Sequence, residues 1–255
     1  MTTTVKLKNI AVVLKRPRYP ENIGASARAM RNMGIEELIL VDPPNCDSTR
    51  ILRMATHAAM DIVEQMKVYE TLKDALSSFN FVIGTTARLG KHRQIIVDPV
   101  KLAEKLVSIS QENRIALLFG PEDRGLANED IRYCHELVNI PTAEFTSLNL
   151  AQAVMIMCYV IFTAYREEDA KFTPRLATRH ELDGMYAQLR DILVRINYIS
   201  PENPDHWMNR VRQFFTRMEI RAREVSMIRG ICRQINWYGK KCYEDGLRNK
   251  GSSFH

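Results

Sequence analysis

The sequence predicts an α/β fold built on a parallel sheet, followed by a small all-α unit. Three observations carry this. Short apolar runs alternate with helical stretches; several of those runs end in polar loops rich in Gly, Pro or Thr; and beyond residue 169 the strand pattern stops and apolar positions recur at helical spacing. The expected division is 1–169 for the α/β part, 170–178 for a polar linker containing Pro174, and 179–255 for the helical extension.

In chain order, Ile10 to Leu14 (IAVVL) reads as a buried first strand. The basic, rigid loop Lys15-Arg-Pro-Arg-Tyr-Pro20 leads into a helix from Glu21 to Met30. Gly24, Ala25, Ala27 and Ala29 let another backbone come close to it, and a helical Gly, about 1 kcal/mol worse than Ala, implies a packing or ligand reason. Asn22 and Ser26 share a face, and Arg28 points elsewhere; an ordinary capped helix with a surface Arg would read the same way. Glu37 to Val41 is the second strand, Ser48 to Ala59 a helix, Lys67 to Glu70 a short third strand, Thr71 to Ser78 a helix and Phe79 to Gly84 another strand.

That last strand runs into Thr85-Thr-Ala-Arg88 and the basic residues Lys91 and Arg93. Gly84 to Lys91 misses a phosphate-loop pattern by one residue, and His92 stands where Ser or Thr is needed, so a nucleotide triphosphatase is excluded. The threonines either hydrogen-bond a ligand or form a simple turn. Asp98-Pro99 caps a helix through Val107.

The stretch Leu117 to Val160 organises the rest. The strand Ile115 to Phe119 ends in the glycine loop Gly120-Pro-Glu-Asp-Arg-Gly125, where Glu122 either meets a ligand or pairs with Arg124. The run Leu137 to Ile140 ends at Pro141, and the loop Thr142 to Ser147 opens a helix near Leu148 that is apolar almost all round and expected to be buried. Ligands of open α/β sheets bind beyond the carboxyl ends of strands, so these loops are the candidate site. No GxGxxG, HExxH or spaced His/Cys cluster occurs, which argues against an ordinary dinucleotide site or a protein metal site; Cys134-His135 reads as structural.

The formal net charge is +6, distributed unevenly: residues 1–169 carry 20 Lys and Arg against 21 Asp and Glu, residues 170–255 carry 16 against 9. The extension is thus either an RNA-facing arm or a solvated helical surface. Its apolar stripes (Leu182 to Ile196, Trp207 to Met218, Val225 to Ile235) suit a core or a dimer interface. Five cysteines without a CxxC pair and no signal peptide point to a reduced cytoplasmic protein, and Ala153 to Phe162 is too short to span a bilayer.

Three motifs in order, Asn22-Ile-Gly-Ala-Ser-Ala-Arg-Ala-Met30, Leu118-Phe-Gly-Pro-Glu-Asp-Arg-Gly-Leu126, and Ile140-Pro141 with Thr146-Ser-Leu-Asn-Leu-Ala-Gln-Ala153, resemble those of SPOUT-superfamily RNA methyltransferases. With the basic helical extension behind them, they resemble more narrowly the TrmJ-type tRNA 2′-O-ribose methyltransferases, over essentially all of 8–240. The resemblance implies a trefoil knot in the C-terminal part of the sheet and a homodimer in which one subunit's pocket faces the first motif of the other. It implies S-adenosylmethionine held by Thr85, Thr86, Ala87, Gly120, Ile140, Thr146, Ser147 and Leu148. It implies methylation of the cytidine or uridine that opens the tRNA anticodon loop, at position 32. Ribosomal RNA methylation, or RNA binding without catalysis, would fit the same residues.

For the chemistry, Arg28 is the expected catalytic residue of the first motif, with Asn22 and Asn149 as orienting groups; Ser147 and Asn149 are also candidates for capping the helix. An arginine keeps its proton to above about pH 12, so a clamp on phosphate and developing alkoxide suits Arg28 better than a general base. Arg16, Arg18, Arg88, Lys91 and Arg93 are the candidate RNA contacts, with the arginines of the extension.

Overall fold

The computed structural model describes residues 3–87, 96–144, 147–166, 173–216 and 218–251. The chain divides into two units, Met1–Leu176 and Ala177–His255. In the first, the elements run β1 (Thr3–Thr4), β2 (Ile10–Lys15), α1 (Pro20–Asn32), β3 (Glu37–Val41), α2 (Ser48–Ala55), α3 (Met60–Glu64), β4 (Lys67–Tyr69), α4 (Leu72–Leu76), β5 (Phe81–Thr85), β6 (Ile96–Val97), α5 (Pro99–Ile109), β7 (Ile115–Phe119), α6 (Asn128–Ile131), β8 (Glu136–Val138), α7 (Leu150–Thr163) and β9 (Tyr165–Arg166). The second holds α8 (Arg179–Arg195), α9 (Pro204–Thr216) and α10 (Ala222–Gly251).

Among the described residues the main sheet has seven strands, all parallel, in the order β4-β3-β2-β7-β5-β8-β6. Two late strands enter between earlier ones: β7 between β2 and β5, β8 between β5 and β6. The first residues are tied to the end of the unit by the antiparallel pair β1–β9.

The unbroken apolar runs follow from burial on both faces. In β2, Ile10, Val12 and Leu14 enter one core layer and Ala11 and Val13 the other; in β7, Ile115, Leu117 and Phe119 oppose Ala116 and Leu118 in the same way. Large side chains fill the layer covered by α1, α5 and α7, and the layer with α4 mixes large ones such as Phe79 and Leu118 with small ones such as Ala11 and Ala116. Shortening one of the large ones, Leu117 for example, would cost about 2–5 kcal/mol.

Glu37, at the amino end of β3, is held from two sides. It accepts from Lys67 of β4 at 2.8 Å and from Arg114, just before β7, at 2.5 Å. Burial pushes its carboxyl up, but these two partners outweigh it and the net shift is below the ordinary 4.5. A carboxylate with a lowered folded-state pKa contributes stability above its unfolded pKa and loses it as pH falls through the folded one. Glu37→Gln is therefore expected to cost about 1 kcal/mol at neutral pH. Denaturant titrations of both proteins should converge once the pH is below the carboxylate range.

Several boundaries differ from those the sequence suggests. The helix expected over Ser48 to Ala59 ends at Ala55, because exposed Thr56 takes a left-handed backbone (φ 58°). The last helix of the sheet unit starts at Leu150 rather than near Leu148. It is buried along one side only, through Leu150, Val154, Met157, Cys158 and Ile161, while Tyr159 and Phe162 are exposed. Within the expected linker 170–178, the described residues before Ala177 belong to the first unit. Leu176 is buried in its core, its N–H donates to Asn113 Oδ1 at 2.7 Å, and its carbonyl accepts from Asn80 Nδ2 at 2.8 Å. Thr178 instead caps α8 in a capping box with Glu181.

In the second unit, Leu182, Met185 and Tyr186 of α8, Met208 of α9 and Val225 of α10 share a core with Ala177, Ile199 and Ile220. Other positions of the apolar stripes are exposed, among them Ile196, Trp207, Phe214, Met218, Ile231 and Ile235.

Candidate functional site

Three strand ends and one helix start meet at a cavity of about 290 Å³. β5 supplies Thr85, Thr86 and Ala87; β7 supplies Phe119 and the loop Gly120 to Leu126; Ile140 follows β8; Ser147, Leu148, Leu150 and Ala153 come from the start of α7. It lies beyond the carboxyl ends of central strands, where a parallel sheet opens.

The loops are fixed by backbone chemistry. The Thr86 N–H donates to Val138 O at 2.9 Å and Asn139 Nδ2 donates to Thr86 O at 2.8 Å, joining the ends of β5 and β8. The Thr85 hydroxyl donates to Leu118 O at 3.2 Å, joining β5 to β7. The glycine loop folds back on itself through Gly125 N to Pro121 O at 2.8 Å, with Gly125 left-handed at φ 62°. A Cβ on Gly120 would lie 2.3 Å from Gly125 C, so only glycine permits this closure.

Gly24 has a packing role. A Cβ there would lie 2.0 Å from Ile51 O, so the small-residue face of α1 is where α2 approaches. Bidentate Arg50–Glu21 hydrogen bonds of 2.8 and 3.0 Å fasten the same two helices. Packing on α2 and α7 thereby fixes the position of Asn22 one turn into α1.

Asn22 is the centre of a network joining the three motifs. Its Nδ2 donates to Glu122 Oε1 at 2.6 Å, and its Oδ1 accepts from Asn149 Nδ2 at 3.0 Å. Glu122 Oε2 accepts from the Arg18 N–H at 2.9 Å, and the Arg18 guanidinium pairs with Asp123 at 2.9 Å. Asn149 Oδ1 meanwhile caps α7, accepting from the N–H groups of Ala151 and Gln152, and Gln152 Oε1 accepts from the Asn149 N–H. The cap of α7 is thus Asn149 and not Ser147. Glu122 binds Asn22 and Arg18 rather than Arg124, whose nearest carboxylate is Asp123 at 3.5 Å.

The structure brings Thr85, Thr86, Ala87, Gly120, Ile140, Ser147 and Leu148 to one cavity, with Asn22 and Asn149 hydrogen-bonded beside it. Thr146, Arg88, Lys91 and Arg93 lie outside the described residues. Arg28 is apart from the cavity of its own chain: it is exposed on α1 and has no hydrogen-bond or ion-pair partner among the described residues. The first motif is therefore divided, with Asn22 committed to its own chain and Arg28 directed outward. Arg16 is exposed at the carboxyl end of β2 with a left-handed backbone (φ 49°) and pairs with Asp42, itself left-handed (φ 45°), at 3.2 Å. His135 is structural, its Nδ1 accepting from the Val82 N–H at 3.0 Å and its ring stacked on Phe81.

Sequence reasoning missed Glu122 as a connector and Asp123 as the partner of Arg18. These interactions span a hundred residues or more, and no local pattern signals them.

The cavity's lining narrows the class of its ligand. Phe119, Leu126, Ile140, Leu148, Leu150 and Ala153 form apolar walls, and the carboxylates of Glu122 and Asp123 at its edge are offset by Arg124 and by the Arg18 guanidinium on Asp123. Two N–H groups in the first turn of α7, which could otherwise bind an anion, are already satisfied by Asn149. The site suits a small, largely apolar ligand better than a polyphosphate. Among the described residues no group of His, Cys, Asp and Glu could hold a metal ion, and no helix is long and apolar enough to cross a membrane.

The family model for the SpoU rRNA methylases matches residues 9–159, and that for the C-terminal domain of the tRNA methyltransferase TrmJ matches 180–245. The chain is 36% identical over 239 residues to the tRNA (cytidine/uridine/adenosine-2′-O-)-methyltransferase TrmJ of Pseudomonas aeruginosa, covering 88% of this chain and 93% of that one. It is 32% identical to the tRNA (cytidine/uridine-2′-O-)-methyltransferase TrmJ of Photorhabdus laumondii, covering 92% of this chain and all of that one. In structure it resembles TrmJ from Z. mobilis, with a TM-score of 0.76 at 29% identity over 89% of this chain and 98% of that one. With that cavity, those strand ends and matches along both units, the chain belongs to the SpoU methylase family, in its TrmJ branch.

Proposed function

We propose that this protein is an S-adenosylmethionine-dependent 2′-O-ribose methyltransferase acting on tRNA, at the cytidine or uridine that opens the anticodon loop. The observation that carries the reading is the cavity at the ends of β5, β7 and β8, wired by Asn22, Glu122 and Asn149. The substrate class rests on the tRNA methyltransferases it matches and on the match of 180–245 to a domain of that family.

S-adenosylmethionine fits this lining: Leu126, Ile140 and Leu148 would give its flat base apolar walls, and the polar loop residues around them would meet its ribose and charged groups. Thr85, Thr86, Ala87, Gly120, Ile140, Ser147 and Leu148, with Thr146, would hold it. When bound it supplies a methyl group on a sulfonium, already a good electrophile. The residues of the chain must then align the ribose oxygen and exclude water, and alignment alone contributes about 7–11 kcal/mol. Both carboxylate oxygens of Glu122 are engaged, by Asn22 and by Arg18 N–H, so Glu122 acts by holding those groups in place. Arg28 would bind the adjacent phosphate and stabilise the negative charge developing on the ribose oxygen.

That role requires a second copy of the chain. Arg28 does not line its own cavity, and the solvent side of α7 carries Tyr159 and Phe162, with exposed Tyr165 just beyond, an apolar face suited to a homodimer that would bring Arg28 to the partner's cavity. The insertion of β7 and β8 between earlier strands supports a trefoil knot. A cytoplasmic location follows from the proposed substrate.

The test is methyl transfer from labelled S-adenosylmethionine to unmodified tRNA by the purified full-length chain, with the ribose methyl mapped by mass spectrometry. Label on the opening nucleotide of the anticodon loop is expected. Label confined to ribosomal RNA, or no transfer, overturns the reading.

A further inference from the structure

Both tryptophans of the chain lie in the second unit, and each has a cation over its ring. Trp207 on α9 is 43% exposed with the Arg210 guanidinium 5.3 Å from its ring centre; Trp237 on α10 is 54% exposed with Lys241 Nζ at 5.2 Å. Tryptophan offers a large flat apolar face with a polar N–H, and with a cation beside it an exposed ring is equipped to meet a partner.

On α10, Val225 and Ile228 pack into the helical core and Cys232 is buried. Trp237 is on the side away from them. Arg233 one turn before it, Lys241 one turn after it and Lys240 beside it share that side, all exposed. A tryptophan with three cations on its side of the helix, and no carboxylate there before Glu244 two turns on, is poorly suited to a second copy of the same basic helix. It suits a polyanion that also presents flat apolar rings.

We propose that Trp237, flanked by Arg233, Lys240 and Lys241, is a stacking platform for an unpaired nucleotide of the substrate RNA, the cations holding its neighbouring phosphates. This rests on the reading of the protein as a tRNA-modifying enzyme and adds the kind of RNA feature that the extension engages. A paired base hides its faces in the stack, so the platform reads single-stranded loops or ends and not duplex. Stacking on an aromatic ring is tolerant of sequence, whereas the lysines and arginine supply the salt-sensitive part of binding.

The experiment measures binding of an unmodified tRNA to the full-length chain across a salt series. Trp237→Ala is expected to weaken binding at least about fivefold without changing the salt slope, and Trp237→Phe to keep most of the affinity. Lys241→Ala should weaken binding and flatten the slope by about 0.7–0.9, the share of one phosphate that is no longer neutralised. In Trp207→Phe, where Trp237 is the sole tryptophan, bound tRNA should quench its emission. The proposal falls if Trp237→Ala binds like the parent, if bound tRNA leaves Trp237 emission unchanged, or if Trp237→Ala alters self-association and not RNA affinity. Normal methyl transfer by the parent chain alongside any of these leaves the proposed function standing; failure of the parent chain to bind tRNA overturns both.

Discussion

Arg28→Ala should lose about three decades of methyl transfer and keep its uptake of S-adenosylmethionine. The neighbours of Arg28 on α1, Asn22, Ile23, Gly24, Ser26, Ala27, Ala29 and Met30, are buried, whereas Arg28 is exposed and without a partner among the described residues. Removing it opens no cavity and breaks no ion pair among the described residues, so the fold and the cavity at the strand ends remain. A single donor aimed at developing negative charge is worth about 10²–10³ in rate, and a hydrogen bond to the adjacent phosphate adds to that. Arg28→Lys keeps the charge and loses the planar fork, so it should recover only part of the rate. Single-turnover rates at saturating cofactor, with calorimetry of cofactor binding, provide the check. Parent-like turnover in Arg28→Ala removes Arg28 from the chemistry.

What the sequence made legible follows the range of the interactions. The central strands were readable because two-sided burial leaves a continuous apolar run, as in Ile10 to Leu14 and Ile115 to Phe119. The cavity's lining was largely readable because strand-end loops carry ligands in such sheets, and three of those loops stood out by their Gly, Thr and Pro residues. The end of α2 was not: Thr56 is neither Gly nor Asn, yet it takes the left-handed turn there. The start of α7 was misplaced because Ser147 and Asn149 are equally good caps by type, and only the bonds to Ala151 and Gln152 distinguish them. The apolar character of α7 suggested full burial, whereas in one chain half of it faces solvent. The Asn22–Glu122–Asn149 network was illegible because its members meet only after the sheet has assembled.

Cutting the chain after Leu176 should weaken tRNA binding by about two to three decades at moderate salt and leave cofactor binding within about twofold. The position of the cut matters. Removing everything from residue 170 would take away Leu176, a core side chain whose backbone satisfies Asn80 and Asn113, and would damage the first unit itself. A chain ending at 176 keeps those bonds and every described residue that lines the cavity. It loses the unit that carries most of the excess of positive charge, since residues 177–255 hold 14 Lys and Arg against 9 Asp and Glu and the rest of the chain, with 22 against 21, is nearly balanced. Affinity for a polyanion falls with each phosphate that the protein ceases to neutralise, and the dependence on salt flattens in proportion. The truncated protein should therefore show both a weaker complex and a shallower slope, with Arg16 and Arg18 among the exposed cations it keeps. Methyl transfer at very high tRNA concentration should partly return, because the cavity and Arg28 are still present. Equal tRNA affinity for the two proteins at matched salt would place the RNA-binding surface entirely in the first unit.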